Sequence, residues 1–252
     1  MTNRKSIPLP FPVYFWTVTA IAAAGLLNMV YASISHYRVH TDMVYVSLCA
    51  VSEAVNCDTV SQSMHSIFLG VPVPVWGVLG YVFFLILLSF AYRAEADHRR
   101  IWPLLFVTAL FFSGYSLYLA FILKFQIKVY CIVCLAGYAI NFALLYLVWI
   151  IRRRFPEKGF FKGLKKDGVF LWRPWKTNTT MLVIFFVIAS ILPLVYPGYW
   201  HFSLPEITAE MSTGMTEEGD PWIGAEHPDL VITEYSDYMC FQCRKMHMHL
   251  RQ

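Results

Sequence analysis

The chain has 252 residues, of which 58% are hydrophobic, 17% are aromatic and only 14% are charged, with a net charge of +4. This balance excludes an ordinary soluble protein, and we expect no nucleic-acid partner. A chain of this length holds one or two domains.

Long blocks of the chain contain no charged residue, and each holds an apolar run of about the 20 residues that a helix needs to cross a bilayer. We therefore predict five transmembrane helices. Their bounds are roughly Val13–Ser35, Val73–Tyr92, Ile101–Leu123, Val129–Ile151 and Thr180–Tyr199. A signal peptide is the weaker interpretation of the first run, because the run is too long and has no clear small-residue cleavage site.

Charge asymmetry predicts the orientation of these helices. If the N-terminus is cytoplasmic, residues 1–11, 93–100 and 152–178 lie inside and carry 14 of the 20 Lys and Arg residues but only 4 of the 16 acidic residues. Basic residues that flank spans stay on the cytoplasmic side. We expect a multi-pass protein of the inner (plasma) membrane. The basic loop 152–178 serves as this topology signal, and a lipid- or partner-binding patch is the alternative.

The first outside loop, His36–Pro72, is too long for a simple turn. We predict a short amphipathic helix at the membrane interface within it, with Asp58 placed to cap the N-terminus. Four apolar residues recur there at helical spacing: Val60, Met64, Ile67 and Phe68. Pro72 and Pro74 then begin the second span, where a missing N–H costs little.

The connection between the third and fourth spans, Lys124–Lys128, is short. These spans must therefore be antiparallel neighbours. The outer half of the third span, Phe112–Leu123, is expected to lie beside Cys131 and Cys134.

After Tyr199 the chain is acidic and irregular through Asp229, which is typical of a linker. Leu230–Asp237 is a strand candidate, and a helical pattern at Arg244–Gln252 ends the chain.

All six cysteines fall on the predicted outer side of the membrane, which permits disulfides. They form three pairs without remainder. Cys49 and Cys57 lie in the first outside loop, Cys131 and Cys134 in the first turns of the fourth helix, and Cys240 and Cys243 in the tail.

The last two pairs have the spacing Cys-x-x-Cys at the start of a helix. There the first thiol lies near the positive end of the helix dipole, which stabilises a thiolate, and the second lies about one turn further on. A redox-active pair is the interpretation we favour. For Cys240 and Cys243 a static disulfide or half of a zinc site is the alternative.

Cys131, Cys134 and Tyr138 share one stripe of the predicted fourth helix. A lipid-soluble oxidant can dock at this level, and a tyrosine hydroxyl one turn from a thiolate can hydrogen-bond a quinone carbonyl. Ordinary packing is the alternative role of Tyr138. The facing candidates on the third span are Phe112, Tyr115, Ser116 and Leu119.

Cys49 and Cys57 are separated by seven residues in the loop, and a structural disulfide there remains open. The other interpretation is a shuttle, since electrons pass between dithiols only by thiolate attack through a mixed disulfide.

Taken together, three motifs resemble the vitamin K epoxide reductase family, and in particular its bacterial members with a fused thioredoxin-like domain. They are Cys49…Cys57-Asp58-x-x-Ser61-x-Ser63, Gly70-Val-Pro72…Trp76-Gly77, and Cys131-Ile-Val-Cys134 with Tyr138. The likeness covers roughly Val13–Ile151, the fifth span and the start of the tail.

The resemblance implies an all-α integral membrane protein, in which a four-helix bundle surrounds a quinone beneath the loop helix. A fifth, tethering transmembrane helix and the start of a thioredoxin-like α/β domain follow. The implied domains are a reductase-like membrane domain at 1–178, the fifth helix at 179–200, a linker at 201–229 and the thioredoxin-like fragment at 230–252.

Carried over by matching position, the resemblance implies that Cys134 faces the quinone and that Cys131 is its disulfide partner. Cys57 then exchanges with Cys131, and Cys49 exchanges with the thioredoxin-like domain. It also implies that Ser63 lies in the capping helix.

The resemblance further implies that Tyr138 contacts the quinone, which is ubiquinone or menaquinone, and that no metal takes part. Electrons from the thiols of reduced secreted proteins enter at Cys240 and Cys243, pass through the loop pair to the membrane pair, and end on the quinone.

Two departures from the family pattern concern the tail. The sequence Cys240-Phe-Gln-Cys243 lacks the proline that is common between such cysteines, and the chain ends at Gln252, nine residues after Cys243. We expect only the first strand and part of the first active-site helix of a thioredoxin-like domain.

Three other classes compete with this interpretation. One is an unrelated DsbB-like disulfide oxidase, and another is a structural membrane protein with static disulfides. The third is a soft-metal carrier that uses Cys, Met and His side chains, for example Met239, Met246, His247, Met248 and His249.

Overall fold

A computed structural model describes residues 10–42, 44–52, 54–93, 101–154, 160–172, 178–200, 212–216, 218–225, 228–233, 235, 243 and 246. Seven α-helices and two short β-hairpins make up the described part of the chain. The helices are α1 (Phe11–Thr41), α2 (Cys57–Gln62), α3 (Val73–Arg93), α4 (Trp102–Ile122), α5 (Ile132–Arg154), α6 (Phe160–Trp172) and α7 (Asn178–Val195). The strands are β1 (Ile67–Phe68), β2 (Val71–Pro72), β3 (Ser212–Met215) and β4 (Pro221–Gly224).

Four helices in the described part of the chain are long and apolar enough to cross a membrane: α1, α3, α4 with its π-helical extension through Ile127, and α5. The prediction of a helical membrane protein is confirmed. Within α7 the apolar stretch Thr180–Val195 is shorter than these four. The fifth span therefore stays a prediction, as does the orientation of the helices.

The hydrophobic core lies among α1, α3, α4 and α5, where large apolar side chains are fully buried. Each helix contributes to it, for example through Val18, Phe84, Leu105 and Leu144. Because the polar groups of a membrane bundle must bond one another, a polar side chain in this interior needs internal partners.

One such polar cluster joins three of the helices. The Tyr81 hydroxyl of α3 donates to Asn141 Oδ1 of α5 at 2.7 Å. Asn141 Nδ2 donates to the Ser116 hydroxyl of α4 at 2.8 Å, and the Ser113 hydroxyl donates to the Asn141 carbonyl at 3.2 Å. These bonds confirm that α4 and α5 are neighbours, as the short connection between them predicts.

The first helix is longer than the apolar run predicted. It continues to Thr41, so His36 and His40 lie in its last turns and are buried. The predicted start of the loop at His36 is therefore wrong. Because helices tolerate polar residues where another segment covers them, the apolar run understates the length of the helix.

A short helix is present in the loop, as predicted, but it neither reaches Phe68 nor includes Ser63. Helix α2 ends at Gln62, because Ser63 is extended, and a single 3-10 turn and the β1–β2 hairpin follow. Register pairs Phe68 with Val71, which leaves Leu69 and Gly70 as a two-residue turn with φ of 51° and 71°. Such turns need positive φ at both positions, which favours glycine.

The start of α3 and the connection between α4 and α5 have the expected backbone chemistry. Helix α3 begins at Val73 with Pro74 in its first turn, as predicted. After α4, the π-helical residues Leu123–Ile127 end at Lys128, whose φ is 59° and whose N–H donates to the Leu123 carbonyl at 2.9 Å. Chain reversal is thereby completed just before Cys131.

The basic loop after α5 contains a helix that hydropathy did not predict. Asp167 of α6 is buried, and its Oδ1 accepts a hydrogen bond from the Ile101 N–H at the start of α4 at 3.0 Å. A carboxylate at this end complements the helix dipole. The loop is thus part of the packed fold.

The chain divides into two compact units, Met1–His40 with Tyr45–Gly198, and Thr41–Val44 with Tyr199–Gln252. In the second unit, β3 and β4 form a hairpin whose turn includes Gly219 at a φ of 90°. The region predicted to be irregular therefore contains strands.

The strand predicted at Leu230–Asp237 is not observed. Leu230–Thr233 and Tyr235, the part of it that the structure describes, are exposed and belong to no strand. A strand needs a paired neighbour, and no described segment pairs with this one. Most of the predicted Arg244–Gln252 helix lies outside the described residues.

Candidate functional site

Cys131 and Cys134 occupy the N-terminus of α5. The Leu135 N–H donates to the Cys131 carbonyl at 3.0 Å, so Cys131 is the residue before the first helical position. Its sulfur accepts the N–H of Cys134 at 3.2 Å, as a capping side chain does. The sequence placed both cysteines inside the helix, but Cys131 lies one residue outside it.

This position affects the acidity of Cys131, which is 3% exposed. Its pKa is lowered, chiefly because the Cys134 thiol hydrogen-bonds its sulfur, and the N–H groups of Cys134 and Val133 add to the effect. Burial and the charge of Asp58 act in the opposite direction. The helix dipole also favours a thiolate here.

Cys49 and Cys57 form a disulfide with a Cα–Cα distance of 5.6 Å, and both are buried. Cys57 is the first residue of α2. The cap of this helix is Asn56, whose Oδ1 accepts the N–H groups of Asp58 at 2.9 Å and Thr59 at 3.2 Å. The predicted cap, Asp58, is wrong, because it lies inside the first turn, where a capping side chain cannot reach back to these N–H groups.

The loop is held against the start of α5 by backbone hydrogen bonds. The Tyr130 N–H donates to the Ala54 carbonyl at 2.8 Å, and the Asn56 N–H donates to the Tyr130 carbonyl at 2.9 Å. Because Tyr130 precedes Cys131 and Asn56 precedes Cys57, this bridge brings the two cysteine pairs together. Cys49, Cys57 and Cys131 share one buried cluster, and Cys134 packs against it.

A cavity of about 100 Å³ lies beside these cysteines. Seven of the residues singled out in the sequence line it: Cys49, Cys57, Cys131, Cys134, Ser63, Leu119 and Tyr138. Its other walls are largely apolar and include Val60, Ile122 and Val133.

Three sequence candidates lie elsewhere. Phe112 packs in the core, with its ring 5.6 Å from that of Tyr81. Ser116 belongs to the polar cluster around Asn141, and the Tyr115 ring stacks on Phe111 at 6.4 Å. None of the three is among the residues that line this cavity, and their contact with a quinone stays a prediction.

The family model described as "Vitamin K epoxide reductase family" matches residues 16–149. This is more than half of the chain and includes every cysteine of the site just described. The chain belongs to the vitamin K epoxide reductase family. It is accordingly a membrane thiol–disulfide oxidoreductase, and the disulfide between Cys49 and Cys57 agrees with that chemistry.

The third cysteine pair lies outside the family match. Cys243 is disulfide-bonded, whereas Cys240 lies outside the described residues. Within the described residues no group of three or more His, Cys, Asp or Glu side chains is arranged to hold a metal ion.

Several residues that line the cavity were not singled out from the sequence. Tyr31 and His36 come from α1, and His36 Nε2 lies 3.2 Å from the hydroxyl of Ser66. The His36 ring stacks on His40 with centroids 4.5 Å apart. The signal that could have identified these residues in the sequence is the presence of polar side chains at the end of an apolar run.

Asn28 is a further residue that the sequence did not single out. It lies inside the first apolar run, and its Nδ2 donates to the Val133 carbonyl at 3.0 Å. Next to it, Gly137 of α5 allows close approach, since a Cβ there would lie 2.9 Å from the end of the Met29 side chain. This contact ties α1 to the helix turn that carries both thiols.

Proposed function

We propose that the protein is a quinone-linked thiol–disulfide oxidoreductase that generates disulfides for protein folding outside the cytoplasm. The observation that supports this best is that the four cysteines of the membrane domain line one cavity together with Tyr138. A pair of static structural disulfides would not need a shared cavity or two free thiols, and Cys131 and Cys134 are free.

Electron transfer between the two pairs proceeds in two exchanges. The Cys57 thiolate attacks Cys131 in a Cys131–Cys134 disulfide, so the Cys57–Cys131 bond forms and Cys134 leaves as a thiolate. The Cys49 thiolate then attacks Cys57, the Cys49–Cys57 bond forms, and Cys131 leaves. A thiol of lowered pKa leaves faster, which agrees with the environment of Cys131.

The lining of the cavity supports a quinone as the ligand. Ligand sites are mostly apolar with a few convergent polar groups, and here apolar side chains surround Tyr138 and Ser63. A membrane quinone, ubiquinone or menaquinone, would supply an acceptor for two electrons and two protons, with Tyr138, Ser63 and Leu119 holding it beside Cys134.

The protein-facing end of the pathway rests on sequence alone. We propose that Cys240 and Cys243, in a thioredoxin-like domain, oxidise the thiols of reduced secreted proteins and pass their electrons to Cys49. We place the protein in the inner (plasma) membrane, and the charge asymmetry supports an orientation with the N-terminus in the cytoplasm and the cysteines outside.

The test is quinone reduction by the purified full chain in lipid nanodiscs, followed by the absorbance of the quinone, with a small dithiol as the electron donor. We expect Cys134→Ser to abolish quinone reduction, whereas Cys49→Ser retains it. If Cys49→Ser is inactive with the small dithiol, the assignment of Cys49 as the outer shuttle cysteine is wrong.

Quinone contact is tested by a matched pair of tyrosines on α5. Tyr138→Phe removes one neutral hydrogen bond, worth about 0.5–1.5 kcal/mol, and should raise the KM for quinone roughly 3- to 10-fold. Tyr146, which is exposed two turns further along α5, provides the control as Tyr146→Phe. Equal KM values for the two variants would exclude Tyr138 from the quinone site.

A further inference from the structure

Asp58 is a buried carboxylate next to Cys57 in the chain, and it is 7% exposed. Its Oδ2 accepts the N–H of Ser47 at 3.2 Å. Its Oδ1 is buried and has no hydrogen-bond partner among the residues that the structure describes. A buried carboxylate oxygen without a donor is costly, and this oxygen is available to take up a proton.

Asp58 lies close to groups that take part in the proposed thiol–disulfide exchange. Among the residues that the structure describes, Tyr31 on α1 and Cys131 before α5 interact electrostatically with Asp58. The Ser47 residue that Oδ2 binds is itself close to the loop disulfide, because its hydroxyl lies 3.5 Å from the Cys49 sulfur.

We propose that Asp58 is the proton acceptor and donor for thiol–disulfide exchange between the loop pair and the helix pair. The inference rests on the proposed exchange between Cys57 and Cys131, and it does not depend on the quinone. It assigns to Asp58 a proton-transfer role that the two cysteine pairs cannot fill by themselves.

The exchange moves two electrons and two protons from one pair to the other. Asp58 takes the proton of the Cys57 thiol, and the resulting thiolate forms the Cys57–Cys131 bond as the Cys131–Cys134 bond breaks. The departing Cys134 thiolate takes up that proton. The Cys49 thiol then gives its proton to the regenerated carboxylate and attacks Cys57, and Cys131 leaves and is protonated in turn. No external oxidant or reductant is needed for this step.

A purely structural role makes a different prediction. Through Ser47, Asp58 also ties the Cys49 segment to α2, and loss of this contact alone would slow exchange. Asp58→Asn retains an amide oxygen that accepts the Ser47 N–H but cannot act as a base at neutral pH, whereas Asp58→Ala removes both functions. Comparing the two variants separates proton transfer from positioning.

The experiment uses the full chain, oxidised and quinone-free, in nanodiscs. A small dithiol is added, the reaction is quenched with acid at short times, and the thiols of Cys131 and Cys134 are alkylated and counted by mass spectrometry. Cys57→Ser measures direct attack of the dithiol on the helix pair. Asp42→Asn is the matched control, because Asp42 is an exposed carboxylate in the same loop region that accepts the Val44 N–H.

General base catalysis typically contributes 10²- to 10⁴-fold. We therefore expect Asp58→Asn to slow exchange at least about 100-fold at pH 7, and to recover toward the wild-type rate above pH 9, where solvent removes the Cys57 proton. Asp42→Asn should exchange at the wild-type rate throughout.

Three results would overturn the proposal. A wild-type rate for Asp58→Asn with a slow Asp58→Ala would leave only the positioning role. A slow Asp58→Asn with no recovery at high pH would also exclude proton transfer. If Cys57→Ser exchanges as fast as the wild type, electrons do not pass through Cys57, and the proposed exchange fails together with the role of Asp58. The first two results overturn the role of Asp58 alone, so the two failures are distinguishable.

Discussion

Asn56 determines where Cys57 is held, and its replacement by alanine tests that role. The Asn56 side chain accepts two N–H groups at the start of α2, Asp58 and Thr59. Asn56→Ala removes both bonds but retains the backbone bond from Asn56 to the Tyr130 carbonyl, which does not depend on the side chain. The perturbation is therefore confined to the cap.

Loss of an N-cap side chain costs about 0.5–2 kcal/mol. Helix α2 has six residues, and a helix this short has no stability of its own. The cost therefore falls on the equilibrium between the docked and frayed conformations of α2. A cost of about 0.5–2 kcal/mol corresponds to a factor of about 2 to 30 in that equilibrium.

The assay is alkylation of Cys57 by a bulky maleimide after full reduction of the protein. Because Cys57 is buried, the alkylation rate follows the population of the open conformation. Asn56→Ala should react about 2 to 30 times faster than the wild type, and Asn56→Ser, which retains a capping oxygen, should remain close to it. Equal rates for the alanine and serine variants would refute the capping argument.

Two further predictions concern the thiol pair and the bundle. Alkylation of Cys131 should titrate below the pH of an ordinary thiol, because its lowered pKa keeps the thiolate at lower pH. Cys134→Ala should move the midpoint upward, whereas Cys134→Ser, which keeps a donor, should move it less; an unmoved midpoint in the alanine variant would contradict this cause. Gly25→Ala should cost about 1–3 kcal/mol in a thermal melt, because the added Cβ meets the Tyr81 ring. Gly114→Ala, with nothing within 4 Å, should melt at or above the wild-type temperature, and equal losses in both would refute the packing argument.

The sequence predicted the membrane helices well because the signal for them is collective. An apolar run of 20 residues is recognisable whatever its neighbours are, and its charged flanks mark its ends. The antiparallel arrangement of α4 and α5 followed from chain connectivity alone. Helix ends were less predictable, as the extension of α1 to Thr41 shows, because burial of His36 and His40 depends on what covers them.

Within the site, the sequence spacing identified the cysteines but not the residues that hold them in place. Ser116 does meet α5, but it bonds Asn141 there and is not among the residues that line the cavity, and Tyr115 stacks on Phe111. Which side of a helix meets a cavity depends on rotation about its axis, and periodicity among uniformly apolar residues leaves that rotation undetermined. Asn56 was passed over because Asp58, two residues further on, carries an equally suitable side chain.

The position of Cys131 before the helix, rather than within it, makes the two thiols of the pair inequivalent. Cys131 accepts N–H groups from the first turn and lies in the buried cluster with Cys57, so its sulfur is the one that the loop meets. Cys134 lies one turn deeper in the span, on the stripe that leads to Tyr138, where both residues line the cavity. A Cys-x-x-Cys moved one residue further into the helix would lose the capping bonds of the first sulfur and turn both sulfurs by about 100°. The spacing of the pair therefore matters less than its register against the helix N-terminus, since that register separates a sulfur packed with the loop disulfide from a sulfur one turn deeper, toward Tyr138.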